Sequence, residues 1–348
     1  MGVVVRLDGP GSVALAEEPD PPLGPTGVRL RTRYSGISAG TELTQYRGTG
    51  AHFAKTWDPD SRLFVPGAPT LEYPVVVGYE EVGEIVEVGD AVTAVRPGQV
   101  VWGVWGHRAT TVVDESYAAA RVLAPAADPL LGIFSHIGSV ALNVVLDADL
   151  HVGETVAVFG LGVVGQIVAQ LARRNGARVV GVDAIPHRLE LARRLGAEET
   201  VDARAGGIAE HVRALTGGRG ADVALEVSGN HRALHEAVRT VAYNARVVTA
   251  GYYQGEAAGL LLGEEFHHNR VQLVCSQISG VAPHLTHRWD RARLATTVID
   301  LAVTERLLLA PLVTHVVPVS DAGGAYALLD GRADDVLQVV LDFGPGAR

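Results

Sequence analysis

Along the middle of the chain, short runs of apolar residues alternate with stretches whose apolar positions recur every three or four residues. Residues 155–159 (TVAVF) lead into 163–174 (VVGQIVAQLARR), and 178–183 (RVVGVD) lead into 187–197 (HRLELARRLGA). The series continues through ADVALEVSG, RALHEAVRTVA, ARVVTAGYY and RVQLVCSQI. A short continuous apolar run suits a buried strand, and the longer period suits an amphipathic helix. The alternation therefore predicts βαβ units around a parallel sheet of about six strands, enough for a complete doubly wound fold. Before residue 133 the texture differs: VRLRTRYSGI, YPVVVGYEEVGEIVEVG, GQVVWGVWG and ATTVVDE are β-type runs punctuated by Gly and Pro, as in an irregular β-rich domain. Beyond Gly280 the pattern gives a helix (RARLATTVIDLAV), a strand (LVTHVVPVS), a short helix (DAGGAYALLDG) and a last strand (VLQVVLDF). Three blocks are expected: 1–139, 140–280 and 281–348. No repeat is visible.

Composition narrows the class. The chain has 348 residues, with 29 Lys+Arg against 39 Asp+Glu for a net charge of −10. That balance argues against a nucleic-acid or anionic-membrane partner, since both need clustered cations. No run approaches about 18 uninterrupted apolar residues, and the N-terminus lacks the apolar stretch of a signal peptide. A cytoplasmic location is expected. The single Cys275 excludes an intrachain disulfide and any multi-cysteine metal cluster.

The strongest chemical signal is Gly160-Leu161-Gly162-Val163-Val164-Gly165, a G-x-G-x-x-G turn between an expected strand and an expected helix. The first glycine permits the turn, the second lets the backbone approach a pyrophosphate, and the third lets helix pack on strand. The helix N-terminus then offers N–H groups to the phosphates. Asp183 closes the next strand about 20 residues on, where a carboxylate bonds the adenine-ribose hydroxyls and repels a 2′-phosphate. NAD is therefore the expected cofactor, with Arg188 close enough to soften that preference. Ser228, Gly251 and Tyr252 follow the fourth and fifth strands, at the carboxyl edge where such sheets bind ligands.

With both halves in view, the chain resembles the medium-chain dehydrogenase/reductase superfamily of alcohol, polyol and threonine dehydrogenases across essentially its whole length. Gly78-Tyr79-Glu80-Glu81-Val82-Gly83, with Ile85 and Val88-Gly89, is similar to the family's G-H-E-x-x-G-x-V-x-x-V-G. Residues 35–42 (SGISAGTE) are similar to its C-G-I-C-G-T-D with one residue inserted, and Arg188-Leu189-Glu190-Leu191-Ala192 matches the segment after the second Rossmann strand. The resemblance implies a Rossmann doubly wound sheet inserted in a β-rich GroES-like catalytic domain, to which the chain returns at its C-terminus. It also implies a homodimer paired through the edge strand RVQLVCSQI, since a bare apolar edge invites aggregation.

The departures carry more information. The family's catalytic zinc takes a Cys, a His and a third Cys or acidic ligand, and those positions hold Ser38 or Ala39, Tyr79 and His136 in this chain. The four-cysteine structural lobe is missing as well. No zinc is expected at either place, and the nearest look is that of bacteriochlorophyllide-type hydroxyethyl dehydrogenases. Without a Lewis acid, oxidation of a secondary alcohol needs hydrogen-bond donors and a general acid/base. Tyr79 and His136 are the candidates at the vacated positions, and Glu80 is expected to orient Tyr79 or raise the basicity of His136. Thr41 matches the hydroxyl that relays the substrate proton, and Glu42 the acid that supports the first metal ligand. Each has a bland alternative: a tyrosine that fills space, or a hydrogen-bonded structural histidine. The substrate is expected to be a small molecule. Three rival readings compete with this one. One is a quinone or enone reductase of the same superfamily, and another is an NAD-binding sensor with no activity. The third is a serine hydrolase with Gly36-Ile37-Ser38-Ala39-Gly40 as its elbow, which would require an α/β sheet at that point.

Overall fold

The N-terminal block forms antiparallel strands, as its alternating apolar positions require. Along the chain these are β1 (Gly2–Gly9), β2 (Ser12–Glu18), β3 (Gly27–Ile37), helix α1 (Thr41–Arg47), β4 (Thr56–Asp58), β5 (Leu63–Val65), β6 (Val75–Val76), β7 (Glu81–Val88), β8 (Val100–Gly103), β9 (Thr110–Asp114) and α2 (Glu115–Ala119). The alternation expected downstream follows as α3 (Phe134–Asp147), β10 (Thr155–Phe159), α4 (Val163–Arg174), β11 (Arg178–Asp183), α5 (Pro186–Arg194), β12 (Glu199–Asp202), α6 (Ile208–Leu215), β13 (Ala221–Glu226), α7 (His231–Thr240), β14 (Val241–Thr249), β15 (Gln272–Cys275) and α8 (Arg291–Val303). The chain ends with β16 (Val313–Pro318), α9 (Ala322–Asp330) and β17 (Gln338–Asp342). This computed structural model describes residues 1–331 and 334–344.

The chain divides into two units, one of residues 1–136 and 313 onward, the other of residues 137–312. In the first, a six-stranded sheet runs β16-β17-β3-β7-β8 with β9 also on β3, beside a three-stranded sheet β2-β1-β6 and the hairpin β4-β5. The C-terminal strand β17 joins this sheet antiparallel to β3, pairing Val340 with Gly36 and Leu341 with Ser35. Val5, Leu7, Ile37, Tyr326, Val339 and Phe343 meet in its core.

The second unit holds a parallel sheet in the order β12-β11-β10-β13-β14-β15. The order reverses between β10 and β13, which sets the ligand crevice at the carboxyl ends of those two strands. The sequence reading returns the chain to the first unit at residue 281. In the structure, 281–312 stay with the second, because α8 buries Leu294, Val298, Ile299 and Ala302 and there is no room for a Cβ on Gly138 beside Val298. The Gln170 side chain also bonds Leu308, accepting from its N–H at 2.8 Å and donating to its carbonyl at 3.1 Å. The helical stretch Pro129–Asp147 is long and apolar enough to cross a membrane, although Ser135, His136, Ser139 and Asn143 keep it from being an uninterrupted apolar run. With 67% of its most apolar window buried inside the protein, it packs as a core helix does.

Candidate functional site

Two clusters of chemistry lie on the two units. In the first unit, β3 and β7 pair antiparallel with Ser35 opposite Glu81. The segments just beyond that pair, Ser38 after β3 and Gly78-Tyr79-Glu80 before β7, are therefore held side by side. The Tyr79 hydroxyl donates to Ser38 Oγ at 2.5 Å, and Thr41 also hydrogen-bonds the Tyr79 side chain. The ring of His136 meets the Tyr79 ring edge-on, with centroids 4.8 Å apart. Ser38 is itself fixed, since its backbone N–H donates to Glu42 Oε1 at 2.9 Å.

Glu42 was matched to the acid that supports the first ligand position, and besides its bond to Ser38 it reaches two further side chains. Its Oε2 lies 2.8 Å from His107 Nε2 and accepts the Tyr326 hydroxyl. His107 Nδ1 faces Ser35 Oγ at 2.5 Å, and Ser35 donates in turn to Glu81 Oε1 at 3.1 Å. Gly78 makes this possible: at φ +105 it adopts a conformation that favours glycine, and a Cβ there would sit 2.5 Å from the His107 backbone nitrogen. Sequence reasoning missed His107, Tyr326, Ser35, Glu81 and Gln338. Ser35 and Glu81 lie inside the two quoted motifs without being singled out there, and His107 stands alone in the β-type segment WGHRATT.

Burial and charge decide how the cluster titrates. Desolvation lifts Tyr79 above the ordinary phenol range, the charges of Glu80 and Glu42 lift it further, and the Ser38 and Thr41 bonds oppose them; the side chain stays a neutral phenol. Desolvation alone would lower His107, but the charge and hydrogen bond of Glu42 outweigh it and raise the imidazole, so His107 and Glu42 form a buried ion pair. Glu80 is pushed well above the usual carboxylate range by burial, then by the charges of Glu42 and Glu81, with a Gln338 bond opposing. Its Oε2 accepts from Gln338 Nε2 at 3.4 Å, and its Oε1 has no hydrogen-bond partner among the described residues. That geometry does not give Glu80 the role of orienting Tyr79 that the sequence suggested.

A carboxyl that titrates higher in the folded chain stabilises the fold fully below its unfolded value, and that contribution is lost as pH rises toward the raised one. Glu80→Gln removes this loss. As pH rises above 4.5 the melting temperature of the variant should therefore fall less steeply than that of the unaltered chain; parallel curves would count against a protonated Glu80.

In the second unit the glycine turn adopts the shape its spacing predicts. Gly160 has φ +89, and a Cβ on it would lie 2.6 Å from Ser228 Cβ; a Cβ on Gly165 would overlap the Gly160 carbonyl oxygen. Gly162 faces open space, with only the Arg188 guanidinium as near as 4.0 Å to the position of a Cβ. It caps α4 without a side chain, and the helix begins at Val163 and Val164 with their N–H ends toward the turn. Asp183 at the end of β11 accepts N–H bonds from Leu161 at 2.6 Å and Ile185 at 2.8 Å. These bonds set the carboxylate's direction and leave its remaining lone pairs for a ligand. Ser228 and Gly251 lie on the loops after β13 and β14, and Tyr252 is 48% exposed.

Comparison with known proteins agrees with this architecture. Residues 24–156 match the family model described as alcohol dehydrogenase GroES-like domain, and residues 163–292 match that of zinc-binding dehydrogenase. The chain is 31% identical over 325 residues to D-guloside 3-dehydrogenase of Escherichia coli (strain K12), covering 91% of this chain and 93% of that one. It is 28% identical over 356 residues to L-threonine 3-dehydrogenase of Rhizobium johnstonii, covering 93% of each. Among solved structures, galactitol-1-phosphate dehydrogenase from Escherichia coli shares the fold at TM-score 0.78 and 20% identity, over 98% of this chain and 99% of that one.

Proposed function

Because the chain belongs to the medium-chain superfamily of zinc-binding dehydrogenases, we propose that it is an NAD-dependent oxidoreductase interconverting a secondary alcohol of a polyol, cyclitol, sugar or hydroxyethyl group with its ketone, and that it does so without catalytic zinc. The observation that carries the reading is the Tyr79–Ser38 hydroxyl pair standing where zinc-dependent members hold metal ligands.

Zinc does not fit the side chains at those positions. A catalytic zinc takes three protein ligands from thiolate, imidazole and carboxylate, with one open place. Ser38 and Tyr79 offer neutral hydroxyls, burial works against a Tyr79 phenolate, and Glu80 favours its protonated form. Among the described residues, no three His, Cys, Asp or Glu side chains converge to hold a metal ion.

The nicotinamide dinucleotide does fit its turn. Gly162 leaves the backbone open to a pyrophosphate, and the uncapped start of α4 supplies N–H donors. Asp183 favours NAD, and the neighbouring Asp202 is already paired with Arg204 at 2.7 Å. When bound, the nicotinamide supplies the hydride acceptor or donor. The protein's task is the proton. In oxidation, the Tyr79 oxygen takes the substrate hydroxyl proton as its own proton passes to Ser38, and the Ser38 hydroxyl gives up its proton in turn by way of Thr41, at the exposed start of α1, to solvent, so that one proton leaves and every hydroxyl stays neutral. No phenolate has to form. In reduction the same pair donates to the carbonyl oxygen, and the His136 ring holds Tyr79 in place. The exposed edge strand β15, partnered among the described residues by β14 alone, is the surface through which two copies would pair. Dimer mass in solution reads that directly.

The discriminating assay follows NADH absorbance with polyols, cyclitols, sugars and hydroxyethyl compounds, set against enones and quinones with NADPH. Turnover of a secondary alcohol with NAD is the expected result. Turnover confined to enones or quinones with NADPH would move the chain to the reductase class, and no turnover with any of them would favour a sensor.

A further inference from the structure

A buried carboxylate in the second unit lies outside the acid–base chemistry and outside every motif read from the sequence. Glu226 is the last residue of β13 and stands opposite Phe159, the last residue of β10, at the point where the strand order reverses. Its side chain is fully enclosed, and desolvation raises its titration against the opposing bonds from Ser228, Tyr253 and Gly229. Oε1 accepts the Ser228 N–H at 2.9 Å and the Ser228 hydroxyl; Oε2 accepts the Gly229 N–H at 3.3 Å and the Tyr253 hydroxyl. Its backbone carbonyl accepts from Ala250 at 2.9 Å and Gly251 at 3.2 Å.

One residue thus ties together the two loops that follow β13 and β14. The loops touch closely enough that a Cβ on Gly251 would overlap the Gly229 nitrogen, and Ser228 lies directly against Gly160 of the dinucleotide turn. A carboxylate buried only to brace a fold is poorly spent, because well-packed apolar residues do that job as well or better. Four donors converging on one carboxylate at the switch point instead hold backbone in a set position at the carboxyl edge of the sheet, where the half of a dinucleotide beyond the pyrophosphate lies.

We propose that Glu226, with Tyr253, is a positioning residue that holds the 227–229 and 250–253 loops as the seat of the nicotinamide riboside half of the cofactor. The proposal rests on the cofactor reading given above. The adenosine half, seated at Asp183, does not depend on Glu226.

The test compares binding of NADH and of ADP, which carries only the adenosine half, by calorimetry to the full chain, to Glu226→Gln and to Tyr253→Phe. Gln keeps the shape of Glu226 but puts an N–H₂ group against N–H and O–H donors. The expected result is NADH affinity weakened about tenfold by Glu226→Gln, the order of one lost charged hydrogen bond, and less by Tyr253→Phe, with ADP affinity unchanged in both. Equal weakening of NADH and ADP, or no change in either, would overturn the proposal; the first would make Glu226 a brace of the whole unit. The unaltered chain serves as the separate control, since failure of that protein to bind NADH would remove the cofactor reading itself.

Discussion

Tyr79→Phe is expected to lower kcat for secondary-alcohol oxidation by about 10²–10⁴-fold, the range that a positioned acid/base contributes, while leaving NADH affinity unchanged. The substitution keeps the ring that packs on His136 and deletes only the hydroxyl that donates to Ser38. The substrate proton then loses its acceptor, and Ser38 alone cannot substitute, because its position is set by the bond from its N–H to Glu42. Ser38→Ala should act in the same direction with a smaller loss, since it removes the next oxygen in the relay and leaves the first. Turnover by Tyr79→Phe within a few-fold of the unaltered chain would reduce Tyr79 to a space-filling ring. His136 would then be the remaining candidate, separable by the pH profile of kcat.

The second large effect belongs to the dinucleotide turn. Gly165→Ala should abolish measurable NADH binding and lower stability by about 1–3 kcal/mol or more, the cost of forcing atoms into a packed site. A Cβ at Gly165 meets the Gly160 carbonyl oxygen, a backbone atom that cannot rotate aside. Helix α4 must move off β10, which displaces the N–H groups at its start. Gly162→Ala is the useful contrast. Its Cβ would meet nothing closer than the tip of Arg188 at 4.0 Å, so the fold should hold while a bound pyrophosphate is crowded. Calorimetric titration with NADH and a thermal melt read both variants, and unchanged NADH binding by Gly165→Ala would contradict the assignment of the turn.

The two sites differ in how openly the sequence displays them. The dinucleotide turn is local: its glycines, strand and helix are contiguous, so spacing alone specifies the geometry. The parallel, doubly wound sheet of six strands was legible for the same reason, since each βαβ unit is a local event with a fixed hand. The proposed acid–base cluster is not local. Tyr79, Ser38, Thr41 and Glu42 could be named because they sit in two short motifs, yet Glu42 holds not only Ser38 but also His107 and Tyr326, which come from distant segments. Tyr326 reaches the cluster from α9, in the C-terminal return whose strand β17 pairs with β3, and nothing in its short alanine- and glycine-rich helix marks it. Glu226 was hidden differently: it closes β13, which already carries Asp222, and no motif singles it out from the other acids that end strands. The boundary at 281 was misplaced because loss of periodicity was read as a change of unit, whereas α8 stays with the second unit through an apolar face that periodicity cannot assign to either.

Metal analysis and turnover on the same sample decide whether the Tyr79–Ser38 pair moves the proton in place of zinc. The chain is treated with a strong chelator, its metal content is measured, and oxidation of a responsive secondary alcohol with NAD is followed before and after. The expected result is substoichiometric zinc and an unchanged kcat. Stoichiometric zinc in the untreated protein, with activity lost on chelation and restored by zinc, would contradict the account.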